Sequence, residues 1–190
     1  MNQNFHKIAE GVDVAPLMNE LMAQPELWDI NSERITPNMP HYQTHDIWLR
    51  YNDKTSFIEK GSFVGFNDPH IPVWYPAIEA LPAAKRLIFD LMAALNGEML
   101  GGVLIYNVPA GKEILVHTDT GWHAEYFEKF NINIQSQAGC EFYYPMHNEA
   151  MTSNTGDIYW FRNTVPHGVR NNSDKDQIIL TVCVKPFKGT

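Results

Sequence analysis

The dominant period of hydrophobic and polar positions changes along this chain near residue 99. Before it, two stretches carry apolar residues at helical spacing. Val12–Ala23 places Val14, Leu17, Met18, Leu21 and Met22 on one face, with Pro16 tolerated in a first turn and Pro25 closing the segment. Ala77–Leu95 places Ile78, Leu81, Leu87, Ile88, Leu91, Met92 and Leu95 on one face. Pro82 predicts a short turn before the main helix starts at about Ala83, and Asn96-Gly97 supplies a stop. Between these, Asn31–Gln43 reads as loop and Ile47–Tyr51 as a strand. Asn52–Pro76 reads as a long irregular excursion, of the kind that is functional or mobile in a compact domain.

From Met99 onward the runs are short and β-like: Val103–Asn107, Ile114–Thr118, Phe130–Ser136, Glu141–Tyr144, Asp157–Phe161, His167–Asn171 and Ile178–Val184. Turn signals separate them, which predicts a sandwich or barrel. In Lys129–Gln135 the alternation is complete. Phe130, Ile132 and Ile134 share one face, and Lys129, Asn131, Asn133 and Gln135 share the other. A strand with one wet face is the ordinary explanation. A polar barrel interior that suits an anionic ligand is the competing one, favoured here by the strand's place in the chain.

Composition narrows the class. The 190 residues fit one domain; we read 1–98 as a helical and loop N-terminal part and 99–186 as the β core. Five Trp, eight Tyr and ten Phe suit a β-rich core. The net charge of −8 argues against nucleic-acid binding, which needs a basic surface. The two cysteines, Cys140 and Cys183, each lie in an apolar run and read as buried thiols. Met1–Glu10 lacks the apolar run of a signal peptide, and no segment approaches the ~20 apolar residues of a membrane span. A cytoplasmic protein is the expectation.

The candidate chemistry begins at His117-Thr118-Asp119. Two residues apart on extended chain, an imidazole and a carboxylate point to one side and can grip one metal ion. The best third ligand is His167, flanked by Pro166 and Gly168. Two His and one carboxylate leave coordination positions open and suit non-haem Fe(II) oxygen chemistry.

Four stretches then carry a family resemblance: Tyr106–Asp119, Lys129–Ser136, Gly156–Asn163 and Pro166–Leu180. In motif order and spacing, about residues 99–186 resemble the aspartyl/asparaginyl β-hydroxylase-type branch of the 2-oxoglutarate/Fe(II)-dependent dioxygenases. The resemblance implies a mainly β fold with flanking helices and a double-stranded β-helix (jelly-roll, cupin-like) core. It implies Fe(II) on His117, Asp119 and His167, with 2-oxoglutarate and O₂ consumed as a C–H bond of a protein side chain or small molecule is hydroxylated. An intact Asp119 favours hydroxylation.

The chain departs from the family pattern around the co-substrate. The base that commonly follows the second His by about ten residues is Gln177 here. The family's R-x-H pair aligns with Lys129-x-Asn131, and its small hydroxyl residue with Tyr106. The anchoring set implied is therefore Lys129, Asn131, Tyr106 and Gln177. Either Lys129, with the Tyr106 hydroxyl, replaces the arginine as charge partner, or the co-substrate is altered or lost; the first is favoured. Arg170 falls three residues after His167, on the opposite strand face, and Arg50 is a further partner to consider. Trp122 and His123 are candidates for the mouth of the site, and Asn52–Pro76 for a lid. The alternatives are a cupin-type metal-binding protein without oxygenase activity, and a β-sandwich binding module.

Overall fold

A computed structural model of the protein describes residues 4–187, so the reading of Met1–Glu10 lies partly outside the described residues. The chain runs β1 (Phe5–Ala9), α1 (Ala15–Ala23), β2 (His45–Tyr51), α2 (Thr55–Glu59), β3 (Val73–Trp74), α3 (Ala77–Ala80), α4 (Pro82–Ala94), β4 (Gly97–Val108), β5 (Glu113–His117), α5 (Trp122–Tyr126), β6 (Glu128–Gln135), β7 (Cys140–Tyr144), β8 (Glu149–Thr152), β9 (Ile158–Phe161), β10 (His167–Asn171) and β11 (Gln177–Pro186). None of the described helices is long and apolar enough to cross a membrane.

The strands form two antiparallel sheets. The larger has the order β1-β9-β6-β11-β4-β2-β3 and the smaller β5-β10-β7-β8. From β4 onward the chain passes back and forth between them, which is the double-stranded β-helix. Strands from before residue 97 extend the larger sheet at both ends: β2 pairs with β4, and β1 pairs with β9.

Period-2 patterning decides what each face of the larger sheet meets. Ile132 and Ile134 of β6, Leu180 and Val182 of β11, and Val103 and Ile105 of β4 face Leu17 and Leu21 of α1 and Leu87, Ile88 and Leu91 of α4. The opposite face packs Tyr106, Val108, Tyr159, Phe161 and Ile179 against Ile114, Phe142 and Val169 of the smaller sheet. Asn131 is buried on this inner side and accepts a hydrogen bond from the Thr181 hydroxyl at 2.6 Å. The polar face of β6 therefore points into the barrel.

Local differences from expectation have local causes. The break expected at Pro82 is present, a short α3 preceding the main helix where Leu81 (φ −125°, ψ 63°) leaves helical geometry. Asn96, not Gly97, takes the left-handed conformation after α4 (φ 49°), and Gly97 already starts β4. The excursion over 52–76 contains α2 and β3. Strand β1 was not anticipated. It buries Phe5 and exposes the next three residues, so it carries no alternation to read. Cys140 and Cys183 are buried and free.

Candidate metal centre and cavity

His117 ends β5 and His167 begins β10, and the two are directly paired across the antiparallel ladder. Their rings lie 4.6 Å apart, centroid to centroid. Asp119 follows the end of β5, where its backbone N–H donates to the Asn163 carbonyl at 3.0 Å. The Asn163 amide in turn donates to the Ala124 carbonyl at 3.2 Å, tying the turn to α5. Gly121 has φ 83°, a left-handed value that lets the chain turn straight from this loop into α5. Gly168 leaves room for the Tyr143 ring, which a Cβ at that position would meet at 2.9 Å.

The three side chains converge. One ligand atom from each of His117, Asp119 and His167 lies within 4.8 Å of the other two. Nε2 of His117 is 3.7 Å from Asp119 Oδ1, and Nε2 of His167 is 4.0 Å from Asp119 Oδ2. Each imidazole uses Nδ1 on a backbone carbonyl two residues back, His117 on Leu115 and His167 on Val165, both at 2.8 Å. A carbonyl can only accept, so the proton sits on Nδ1 and the Nε2 lone pair faces the site. Burial holds the His167 pKa down to about 4 and lowers that of His117 as well, so both are neutral and ready to ligate. Phe142 stacks on the His167 ring at 5.3 Å and fixes its plane. These donors fit a divalent transition metal with positions left open.

Lys129 reaches the same carboxylate, with Nζ 2.6 Å from Asp119 Oδ2. Burial alone would push the Asp119 pKa up. The Lys129 ammonium outweighs it and holds the carboxyl below its ordinary range. Asp119 similarly raises Lys129 against the effect of burial.

A cavity of about 120 Å³ opens over these groups. Tyr106, Lys129 and Thr181 line it from the larger sheet, with Phe142 and Val169 from the smaller. Of the anticipated anchoring set, Tyr106 and Lys129 face the cavity, while Asn131 stands behind Thr181. Gln177 does not reach it. On β11 the lining stops at Thr181, and below it Ile179 packs with Tyr106 in the inter-sheet core. Gln177 is buried there, its amide 3.5 Å from the Ser136 hydroxyl. His123 lines the cavity and accepts the Gly102 N–H at Nε2; Trp122 does not line it, and packs on His70 and Phe127. Arg170 is paired with Glu141 outside the cavity, and Arg50 stacks over Trp74.

Two cavity residues come from the stretch read only as loop. Arg34 and His41 lie in the 31–43 segment, which is pinned to β5 by the Leu115 N–H donating to the Pro40 carbonyl at 3.0 Å. Two basic residues in a loop without periodicity gave no signal of their own.

No family model matches the chain, and no curated protein matches it by sequence. Solved structures do match its fold. A prolyl hydroxylase from Trichoplax adhaerens, in complex with a hypoxia inducible factor oxygen degradation domain peptide, superposes with a TM-score of 0.56 at 13% identity, over 97% of this chain and 84% of that one. A 2OG-Fe(II) oxygenase family oxidoreductase from Burkholderia pseudomallei gives 0.53 at 12% identity, over 77% and 70%. The viral collagen prolyl hydroxylase of Paramecium Bursaria Chlorella virus-1, in its 2OG complex, gives 0.52 at 12% identity, over 98% of each chain. The fold is thus the double-stranded β-helix that these 2OG-Fe(II) oxygenases share.

Proposed function

We propose that this protein is an Fe(II)- and 2-oxoglutarate-dependent oxygenase that hydroxylates an unactivated C–H bond of a protein side chain or small molecule. The observation that carries the reading is the His117–Asp119–His167 cluster, with both Nε2 lone pairs freed by backbone acceptors and an open cavity above. The fold shared with 2OG-Fe(II) oxygenases supports it, as does the resemblance of residues 99–186 to the aspartyl/asparaginyl β-hydroxylase branch.

His117, Asp119 and His167 would hold the iron. Bound there, iron and 2-oxoglutarate would supply the oxidising power, with O₂ as oxidant and succinate and CO₂ as co-products. The protein's share is positional. The Leu115 and Val165 carbonyls keep both imidazoles in the ligating tautomer, and Phe142 and Phe161 keep bulk water from the His167 side. Lys129 and the Tyr106 hydroxyl offer a cation and a donor to an anionic co-substrate.

The test is anaerobic addition of Fe(II) and 2-oxoglutarate. A weak visible charge-transfer band and O₂-dependent succinate are expected. Failure to bind 2-oxoglutarate at millimolar concentration with iron bound would sink the reading. The seclusion of Gln177 favours one rival, a cupin-type metal-binding protein without oxygenase activity. Metal binding that 2-oxoglutarate leaves unperturbed would establish that rival.

A further inference from the structure

The cavity wall holds a second cation that the site described so far does not use. Arg34 projects from the 31–43 loop, with Nη1 3.5 Å from Asp46 Oδ2 and Nη2 3.0 Å from His41 Nε2. Asp46 is 1% exposed and also accepts the Trp48 indole N–H at 3.3 Å, so it is a fixed post behind the guanidinium. A guanidinium only donates, so His41 accepts at Nε2 and carries its proton on Nδ1. That Nδ1–H is buried and has no hydrogen-bond partner among the described residues. The wall therefore presents a partly paired cation beside an unused buried donor. A buried donor of this kind is costly to leave unmade.

The two cations are differently committed. Lys129 makes a close ion pair at 2.6 Å with Asp119, one of the proposed ligands. Arg34 has only a longer contact, at 3.5 Å, with a carboxylate outside the cavity lining. Arg34 lines the same cavity as the metal cluster. The His41 ring it contacts lies 5.3 Å from the His117 ring and 5.9 Å from the Tyr106 ring. A 2-oxo acid held at the cluster would have its second carboxylate, two methylenes away, within the cavity that Arg34 lines.

We propose that Arg34, positioned by Asp46 and His41, is the cation that receives the far carboxylate of a dicarboxylate 2-oxo acid. The inference rests on the oxygenase reading above. The receptor comes from an N-terminal loop lying outside the double-stranded helix. It serves where Gln177 offers no charge and is sealed off by Ile179 and Tyr106. The assignment makes the loop a specificity device, because it distinguishes a dicarboxylate from a monocarboxylate of the same length.

The experiment measures binding by calorimetry on Mn(II)-loaded protein, which avoids turnover. The ligands are 2-oxoglutarate and 2-oxopentanoate, in which a methyl replaces the far carboxylate. Arg34→Gln is expected to weaken 2-oxoglutarate about 10- to 100-fold, the range for losing charge-assisted hydrogen bonds. It is expected to leave Mn(II) and 2-oxopentanoate binding within about twofold of wild type, and Arg34→Lys should recover part of the loss. Unchanged 2-oxoglutarate affinity in Arg34→Gln overturns the assignment, and so does an equal loss for both ligands, which marks a structural effect. Wild-type protein that binds Mn(II) but not 2-oxoglutarate overturns the oxygenase reading itself, an outcome distinct from an insensitive variant.

Discussion

On the helix side of β6, Phe130, Ile132 and Ile134 sit in a continuous apolar layer under α1 and α4. On the barrel side of the same strand, Lys129 pairs with Asp119 and Asn131 pairs with Thr181. Strand β11 divides in the same way, with Leu180 and Val182 outward and Thr181 and Cys183 at the cavity. One backbone thus serves two solvents. The outer face gains its stability from apolar burial, which is tolerant of detail. The inner face buries polar groups whose partners must be specific. Changes on the two faces should therefore separate stability from binding.

The largest effect is expected at the metal cluster. His167→Ala removes a proposed ligand that is 5% exposed and already held in the ligating tautomer. Divalent-metal affinity, read by calorimetry with Mn(II), should fall at least about 100-fold. If the variant keeps wild-type affinity, the cluster is not the metal site.

On the other face, Ile132→Ala leaves a cavity at a position fully buried against the helices. It should cost about 2–5 kcal/mol in urea unfolding while the folded variant keeps its metal affinity. A loss of metal affinity as large as that of His167→Ala would show that the two faces are not separable.

Much of this division is legible in the sequence, and the part that is not has a physical reason. Alternation in 129–135 follows from strand geometry alone, so it names both faces of β6. The His117–Asp119 pair is local, and His167 needs only one strand pairing to meet it. The cavity wall is different. Arg34 and His41 reach the cavity because the 31–43 loop folds back on β2 and β5, through the Arg34 guanidinium on the Asp46 carboxylate and the Leu115 N–H on the Pro40 carbonyl. Such returns leave no period in the chain. The two departures at Tyr106 and Gln177 are also linked in a way spacing does not reveal. The large Tyr106 side chain fills the barrel with Ile179 just where a base at 177 would need open space.

A third prediction concerns pH. Burial lowers the His123 pKa to about 4, and its Nε2 accepts the Gly102 N–H, so the folded protein holds it neutral. The unfolded chain takes up the proton near 6.5. The stabilisation is complete above that pH and is lost as pH falls through 4. It amounts to at most about 3 kcal/mol. Metal-free His123→Gln should therefore show a flatter fall in stability between pH 6.5 and 4 than wild type. Parallel curves would show that His123 titrates alike in both states.

The smallest effect distinguishes the two cations of the inner face. Lys129 holds the Asp119 oxygen that a metal needs, and its charge repels a dication. Lys129→Met should raise Mn(II) affinity about tenfold at pH 8, about 1.4 kcal/mol. The gain should shrink on acidification. Without the ammonium, only the weaker pull of His167 and His117 opposes burial at Asp119, so its carboxyl pKa moves up and protons compete better with the metal. Arg34→Gln should show no such crossover, because Arg34 contacts Asp46 and His41 and not the cluster carboxylate. Weaker Mn(II) binding by Lys129→Met at every pH would give Lys129 another role, that of orienting Asp119 for the metal.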